Sequence, residues 1–364
     1  MRILVVRNDK LGDFMLTWPA FALIKQRHPD WHLTALVTTY TEPMARICPW
    51  IDDVLLDPGD SNGMRGYLTL YRQLRKQPYD ALITLFSTTR IGLSGFLARI
   101  PFRLAPATKL AQIFYNHRLV QRRSRSQKPE FAYNLELAQY LLAELYPAQA
   151  STSNAKEVDA DDYLPASIPR PLLAIDETAR KKQRDEFCRK HGINRRSMLV
   201  FAHPGSGGSA NNLSPEQYVT LLNTIRCKGE MTIVVTAGPG EEEIAQHIAE
   251  AIKGHASIAL RPEGGLTSLT QNLSFCDLFI SNSTGPLHIA GALNRNTATF
   301  YPRHRSGSPL RWQPLNAPNR QLIFTPPENA REMDVGAIDV ILAATLISER
   351  FLLNDLLLNR QSGD

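Results

Sequence analysis

Apolar residues in the first ninety positions fall in short unbroken runs, separated by stretches with helical periodicity. RILVV (2–6) reads as a buried strand, and LTWPAFALIKQRHP (16–29) as an amphipathic helix ending before Pro29. HLTALVT (32–38) is the next strand, TEPMARICP (41–49) a short helix, and VLLD (54–57) a third strand. The helix GMRGYLTLYRQLRKQ (63–77) and the strand YDALITLF (79–86) follow. Short apolar strands alternating with helices predict an α/β fold built on a parallel, doubly wound sheet. The alternation blurs after Arg90 and resumes with the helix FAYNLELAQYLLAELY (131–146).

Residues 147–171 are rich in Pro, Ala, Ser and Asp without periodicity, which marks them as the connection between two domains. A second alternation then begins. DETARKKQRDEFCRKHGI (176–193) reads as a charged helix, and SMLVFAHPGSGG (197–208) as a strand entering a glycine loop. SPEQYVTLLNTIRCKG (214–229) has a Ser-Pro-Glu helix start. MTIVVTAGPGEEEIAQHIAEAI (231–252) and CDLFISNSTGPLHIAGAL (276–293) each read as strand, loop and helix. VGAIDVILAATLISERFLLNDLLLNR (335–360) reads as one long helix. The expected domains are 1–170, 171–335 and a C-terminal helix, 336–364, returning to the first. Two doubly wound sheets facing a cleft would place ligands at the C-terminal ends of their strands.

The length of 364 residues suits two cores, and 43% hydrophobic with 21% charged residues is the composition of a globular protein. Four scattered cysteines form no metal-binding or disulfide pattern and fit a reducing compartment. The first residues lack a signal-peptide pattern, and no apolar run is long enough to span a membrane. The expected location is cytoplasmic, peripheral to the inner membrane at most.

The net charge of +6 is unevenly spread: residues 90–128 hold nine Lys or Arg and no Asp or Glu. Such a block suits an anionic partner, or is simply a solvated loop. No nucleic-acid-binding pattern accompanies it.

Three loops, each following an apolar strand, carry the candidate chemistry. In RNDKLGD (7–13), Gly12 allows a tight turn before Asp13, which is either a helix cap or a base. If Thr17 caps the helix, with Pro19 in its first turn, Asp13 stays free. HPGSGG (203–208) offers the amides of Gly205, Ser206, Gly207 and Gly208 to a diphosphate, or makes only a tight turn. SNSTGPLH (281–288) places Ser283, Thr284 and Gly285 at a helix start, with Pro286 in its first turn and His288 one turn in. His288 is either a ligand-facing or a packed residue. Arg303 and Arg305, after the last strand, and Lys10 are candidate partners for a departing negative charge.

Together, Gly12-Asp13, His203-Pro204-Gly205 and Ser283-Thr284-Gly285-Pro286-Leu287-His288 resemble glycosyltransferase family 9, the ADP-heptose:lipopolysaccharide heptosyltransferases. The resemblance implies a GT-B architecture and an inverting, metal-independent transfer without a cofactor, with Asp13 as general base. It implies a nucleotide-sugar donor, ADP-heptose foremost, held by Gly205, Ser206, Asn211, Glu241, Ser283, Thr284, Gly285 and His288. The implied acceptor is an anionic glycolipid or glycan at the cytoplasmic leaflet, held by Lys10, Arg90, Arg122, Arg123 and Arg125. The chain departs from the family pattern in three places: Asn211 stands where a lysine is common, Leu213-Ser214 where a Trp-Pro pair is common, and Ser283 where an aspartate is common. A different nucleotide-sugar donor, a non-catalytic binding homologue, and an epimerase or hydrolase on the same fold remain as alternatives.

Overall fold

The structure is a computed structural model that describes residues 1–59, 63–107, 110–146, 163–208 and 211–353. The chain divides into two compact units, Met1–Leu172 and Leu173–Asp364. Most of the expected connection, 147–162, lies outside the described residues.

The first unit holds β1 (Arg2–Val6), β2 (His32–Val37), β3 (Asp53–Leu56), β4 (Ala81–Thr84), β5 (Phe102–Pro106) and β6 (His117–Leu119). They form one parallel sheet in the order β3-β2-β1-β4-β5-β6. Ile3, Leu4, Val5 and Val6 are all buried, so both faces of β1 are covered, as an unbroken apolar run in a parallel sheet requires. The helices are α1 (Leu11–Met15), α2 (Trp18–Arg27), α3 (Glu42–Ile47), α4 (Gly63–Lys76), α5 (Thr89–Leu97) and α6 (Glu130–Leu145).

The first predicted helix is broken and is not amphipathic. It divides into α1 and α2, and every α2 residue from Trp18 to Ile24 is buried. An all-round apolar helix belongs inside, and α2 packs against α6. The basic stretch also conceals α5, β5 and β6. The last strand is a three-residue edge with Arg118 exposed, too short and too charged to show period-two alternation.

The second unit holds α7 (Glu177–His191), β7 (Met198–His203), α8 (Pro215–Thr224), β8 (Met231–Thr236), α9 (Glu242–Ala251) and β9 (Ala256–Leu260). It continues with α10 (Gly265–Ser274), β10 (Leu278–Asn282), α11 (Gly285–Ala292), β11 (Thr297–Phe300), β12 (Gln321–Phe324) and α12 (Val340–Ile347). Its sheet is parallel, in the order β12-β11-β10-β7-β8-β9. Counted from each unit's first strand, both sheets have the same order, and each chain path reverses beside that strand. Those reversals, between β1 and β4 and between β7 and β10, are where doubly wound sheets bind ligands.

The C-terminal stretch differs from its expectation. The α-helix starts at Val340, capped by the Asp339 carboxylate, and continues into a wider turn at Ser348–Leu352. Ala343, Ala344, Ile347, Phe351 and Leu352 are buried in the core of the second unit, where α12 packs on α8. The described part of 336–364 therefore belongs to the core of the second unit, and residues 354–364 lie outside the described residues. Among the described residues, no helix is long and apolar enough to cross a membrane.

Candidate active site

At the end of β1 the chain leaves the sheet through residues 7–10 and starts α1. Lys10 is the N-cap of α1 but makes no side-chain cap bond, and Asp13 is the helix's third residue. Asp13 is thus neither a cap nor free. Its Oδ1 accepts a short hydrogen bond from Arg7 Nη2, and the side chain keeps 14% exposure.

Arg7 is buried at 3% exposure and divides its guanidinium among three carboxylates. Nε donates to Asp9 at 2.8 Å, Nη2 to Asp13, and Nη1 lies 3.2 Å from Glu130 Oε1. Burial disfavours the Arg7 charge, but the attraction of Asp9, Asp13 and Glu130 outweighs it and holds its pKa above the ordinary value. Asp13 is pushed up to about 6, mainly by burial. Arg7 and Lys10 oppose the rise, and Asp9 and Glu130 add to it. A carboxyl with that pKa is ionised at neutral pH and close to the range where proton acceptance is efficient.

The basic stretch turns largely inward here. Arg90 is buried and pairs with Asp57 at 2.6 Å, while Asn8 of the β1–α1 loop donates to the same carboxylate. The Asp57 pKa is lowered: burial raises it, but the bonds from Arg90 and Asn8 prevail. Arg123 donates to Glu130 at 2.6 Å, to Leu85 O at 3.0 Å and to Gln121. Arg90 and Arg123 are therefore paired with acids inside the first unit. Lys10, Arg122 and Arg125 are exposed. The acids that neutralise the block come from outside it in sequence, which is why its composition gave no sign of them.

Arg7, Asp57 and Glu130 join the site without having been expected there. Arg7 was visible as the polar break ending the RILVV run. Glu130 is the first acid after the basic block, at a helix start where a negative charge is favoured.

In the second unit, the loop after β7 is closed over a side chain of its own. Glu241 accepts from the amides of Gly207 and Gly238, each at 2.9 Å. The Gly207 amide, expected to be open to a diphosphate, is occupied by this carboxylate. Gly205 leaves room for this carboxylate, because a Cβ there would overlap the Glu241 side chain and push it aside. His203 bonds through Nδ1 to Thr236 Oγ1 at 3.0 Å, and burial pushes its pKa down. Asn212 donates to Ser206 Oγ at 3.0 Å, and Asn211 turns to Met333 O at 2.7 Å.

Gly205→Ala should force Glu241 off both amides, costing about 3 kcal/mol for two hydrogen bonds to a charged acceptor. A thermal melt should show a fall of about 8 °C. An unchanged Tm would mean that the carboxylate clamp contributes nothing to the loop.

After β10, Thr284 is the N-cap of α11, with Pro286 in the first turn. Among the described residues, Thr284 Oγ1 and His288 Nδ1 are buried without a hydrogen-bond partner. Burial drives the His288 pKa down to about 4, so its ring is neutral at physiological pH. Gly285, the first residue of α11, brings the positive end of the helix to the same place. Ser283 bonds to the Tyr301 hydroxyl, which donates to Trp312 O at 3.0 Å. Arg303 is committed to the carbonyls of Glu328 and Ala330, while Arg305 is exposed. Among the described residues, no three His, Cys, Asp or Glu side chains gather as metal ligands would.

Two parallel six-stranded, Rossmann-like sheets are the architecture of the GT-B class. The model of glycosyltransferase family 9 (heptosyltransferase) matches residues 67–334, and the chain belongs to that family. A Haemophilus influenzae protein with a provisional glycosyltransferase name is 39% identical over 94% of this chain and 95% of its own. Lipopolysaccharide heptosyltransferase 2 of Salmonella typhimurium is 21% identical over 83% of this chain and 82% of its own. The crystal structure of a Veillonella parvula family 9 glycosyltransferase superposes with TM-score 0.75 at 18% identity, covering 96% of this chain and 97% of that one. Escherichia coli ADP-heptose lipopolysaccharide heptosyltransferase II superposes at 0.72 and 18% identity, over 100% of both chains. The family match begins beyond Asp13.

Proposed function

We propose that this glycosyltransferase moves a sugar, heptose from ADP-heptose foremost, onto a lipopolysaccharide core or related glycan. In this reading it acts with inversion and without a metal ion or cofactor, and Asp13 is the general base. The observation that carries the reading is the Asp13 carboxylate, partly buried, held by Arg7 and with its pKa raised to about 6.

In the transfer, Asp13 takes the proton of the acceptor hydroxyl as that oxygen attacks the anomeric carbon. The bond to the nucleoside diphosphate breaks with its electron pair leaving on the diphosphate. The N-terminus of α11, the unpartnered Thr284 hydroxyl and the Gly285 amide then face the developing negative charge. Neutral His288 offers a ring nitrogen to the same ligand rather than a charge. Glu241, between its two glycine loops, acts as an acceptor for donor hydroxyls and not as a phosphate contact. Exposed Lys10, Arg122 and Arg125 meet an anionic acceptor at the cytoplasmic leaflet, where the protein associates peripherally. A second reading, transfer of a different sugar, is favoured by Ser283, which engages Tyr301 and supplies no carboxylate.

Thermal shifts with ADP-, UDP-, GDP- and CDP-sugars decide the donor. ADP-heptose at a hundred times its Kd should stabilise the fold by about 2.7 kcal/mol, with product formed on an O-deacylated lipopolysaccharide core. A shift with another nucleotide-sugar and none with ADP-heptose would replace the donor in this reading.

A further inference from the structure

We propose that Glu130 and Arg123 are positioning residues for Asp13, forming a buried relay Arg123–Glu130–Arg7–Asp13 that orients the base at the C-terminal edge of the first sheet. The inference rests on the reading of Asp13 as the base.

Glu130, at 2% side-chain exposure, is the first residue of α6 and is as far as 123 residues from Arg7 in sequence. Its Oε1 receives both Arg7 Nη1 at 3.2 Å and Arg123 Nη1 at 2.6 Å. Leu85 O, at the end of β4, receives the same two nitrogens at 3.4 and 3.0 Å. Two guanidiniums thus share one carboxylate and one carbonyl, and the geometry of each limits that of the other. With Nη1 fixed by Glu130 and Leu85, and Nε by Asp9 at 2.8 Å, the planar Arg7 fork can aim Nη2 in only one direction. That direction is Asp13 Oδ1. Among the described residues, Asp13 Oδ2 takes no hydrogen bond, leaving that oxygen for an acceptor hydroxyl. On the outer side, Gln121 and Asn134 hold Arg123, and Asn134 also donates to Leu16 O just past α1. The relay therefore closes on both ends of the segment that carries Asp13.

The charged groups facing Asp13 are Arg7, Asp9, Lys10 and Glu130. Removing the Glu130 charge takes away a repulsion and makes Asp13 more acidic. Removing the Arg123 charge leaves Glu130 less neutralised and makes Asp13 less acidic. A residue that merely supported the fold would not give shifts of opposite sign.

The test uses the full chain with Asp 13C-labelled at its carboxyl, the Asp13 signal assigned by its absence in Asp13→Asn. Glu130→Gln should lower the midpoint of the Asp13 titration, and Arg123→Gln should raise it, each by at least about half a pH unit. The acidic limb of kcat/KM, measured with ADP-heptose and an O-deacylated lipopolysaccharide core, should move with it. In Glu130→Gln, kcat should fall about tenfold or more with donor KM unchanged, and Glu130→Asp should recover part of the loss. Midpoints unmoved in both variants would overturn the relay whatever Asp13 does. Midpoints that move while the rate profile stays fixed would overturn the base reading, and with it the relay's catalytic use. If Glu130→Gln fails to fold, the less buried side of the relay still decides, because Arg123→Gln acts at a side chain with 14% exposure against 2% for Glu130.

Discussion

Asp13→Asn should lose transfer by about a thousandfold in kcat while binding donor as the wild type does. The amide keeps the size of the carboxylate and can still accept from Arg7 Nη2 through its oxygen, so the geometry around Arg7 has little reason to change. What disappears is the ability to take a proton. Because donor contacts are assigned to the other sheet, the thermal shift with ADP-heptose should be unaltered. The wild-type enzyme should also show the pH signature of this base. With the Asp13 pKa raised to about 6, the ionised fraction is nearly complete at pH 7.5 and falls as pH drops through 6. Thus kcat/KM should be halved near pH 6 and fall about tenfold per pH unit below it. Transfer by Asp13→Asn at wild-type rate would remove Asp13 from the chemistry.

The parts of this site legible in the sequence are those made by neighbours along the chain. RILVV reads as a buried strand because β1 is covered on both faces. Ser214, Pro215 and Gln217 announce α8 because a capping box is complete within four residues. Pro286 marks the start of α11 for the same local reason. The illegible parts depend on long-range pairing. The basic stretch looks like a solvated anion-binding patch because its carboxylates, Asp57 and Glu130, lie outside it. Folding brings Arg90 onto the first and Arg123 onto the second. Likewise, the glycine loop at 203–208 looks open for phosphate until Glu241, folded back from the start of α9 beyond the next strand, takes the Gly207 amide. β5 and β6 are short strands near or at the edge of the sheet, whose Arg, His and Pro residues hide them from a search for apolar alternation.

Arg7→Met should be strongly destabilising, because it removes the cation from a pocket that keeps its acids. Asp13 and Glu130 have side-chain exposures of 14% and 2%, and a buried charge left without its partner costs about 3–5 kcal/mol. For a unit of this size the expected fall in Tm is about 10 °C. The loss should depend on pH in a definite sense. In the wild type, the Asp13 pKa rises from 3.8 to about 6 on folding, so the native state binds that proton more tightly than the unfolded chain. Its contribution to stability is fully present at low pH and declines as pH rises from about 4 to about 6. Arg7 is the main influence opposing that rise, so without it the Asp13 pKa climbs further and the decline extends to higher pH. The gap in stability between wild type and Arg7→Met should therefore be widest at pH 7–8 and narrow toward pH 5, where the variant can protonate Asp13. Denaturant unfolding at a series of pH values measures it directly. A gap independent of pH would show that Arg7 acts there by filling space, its aliphatic stem and its stacking over Phe86 mattering more than its charge.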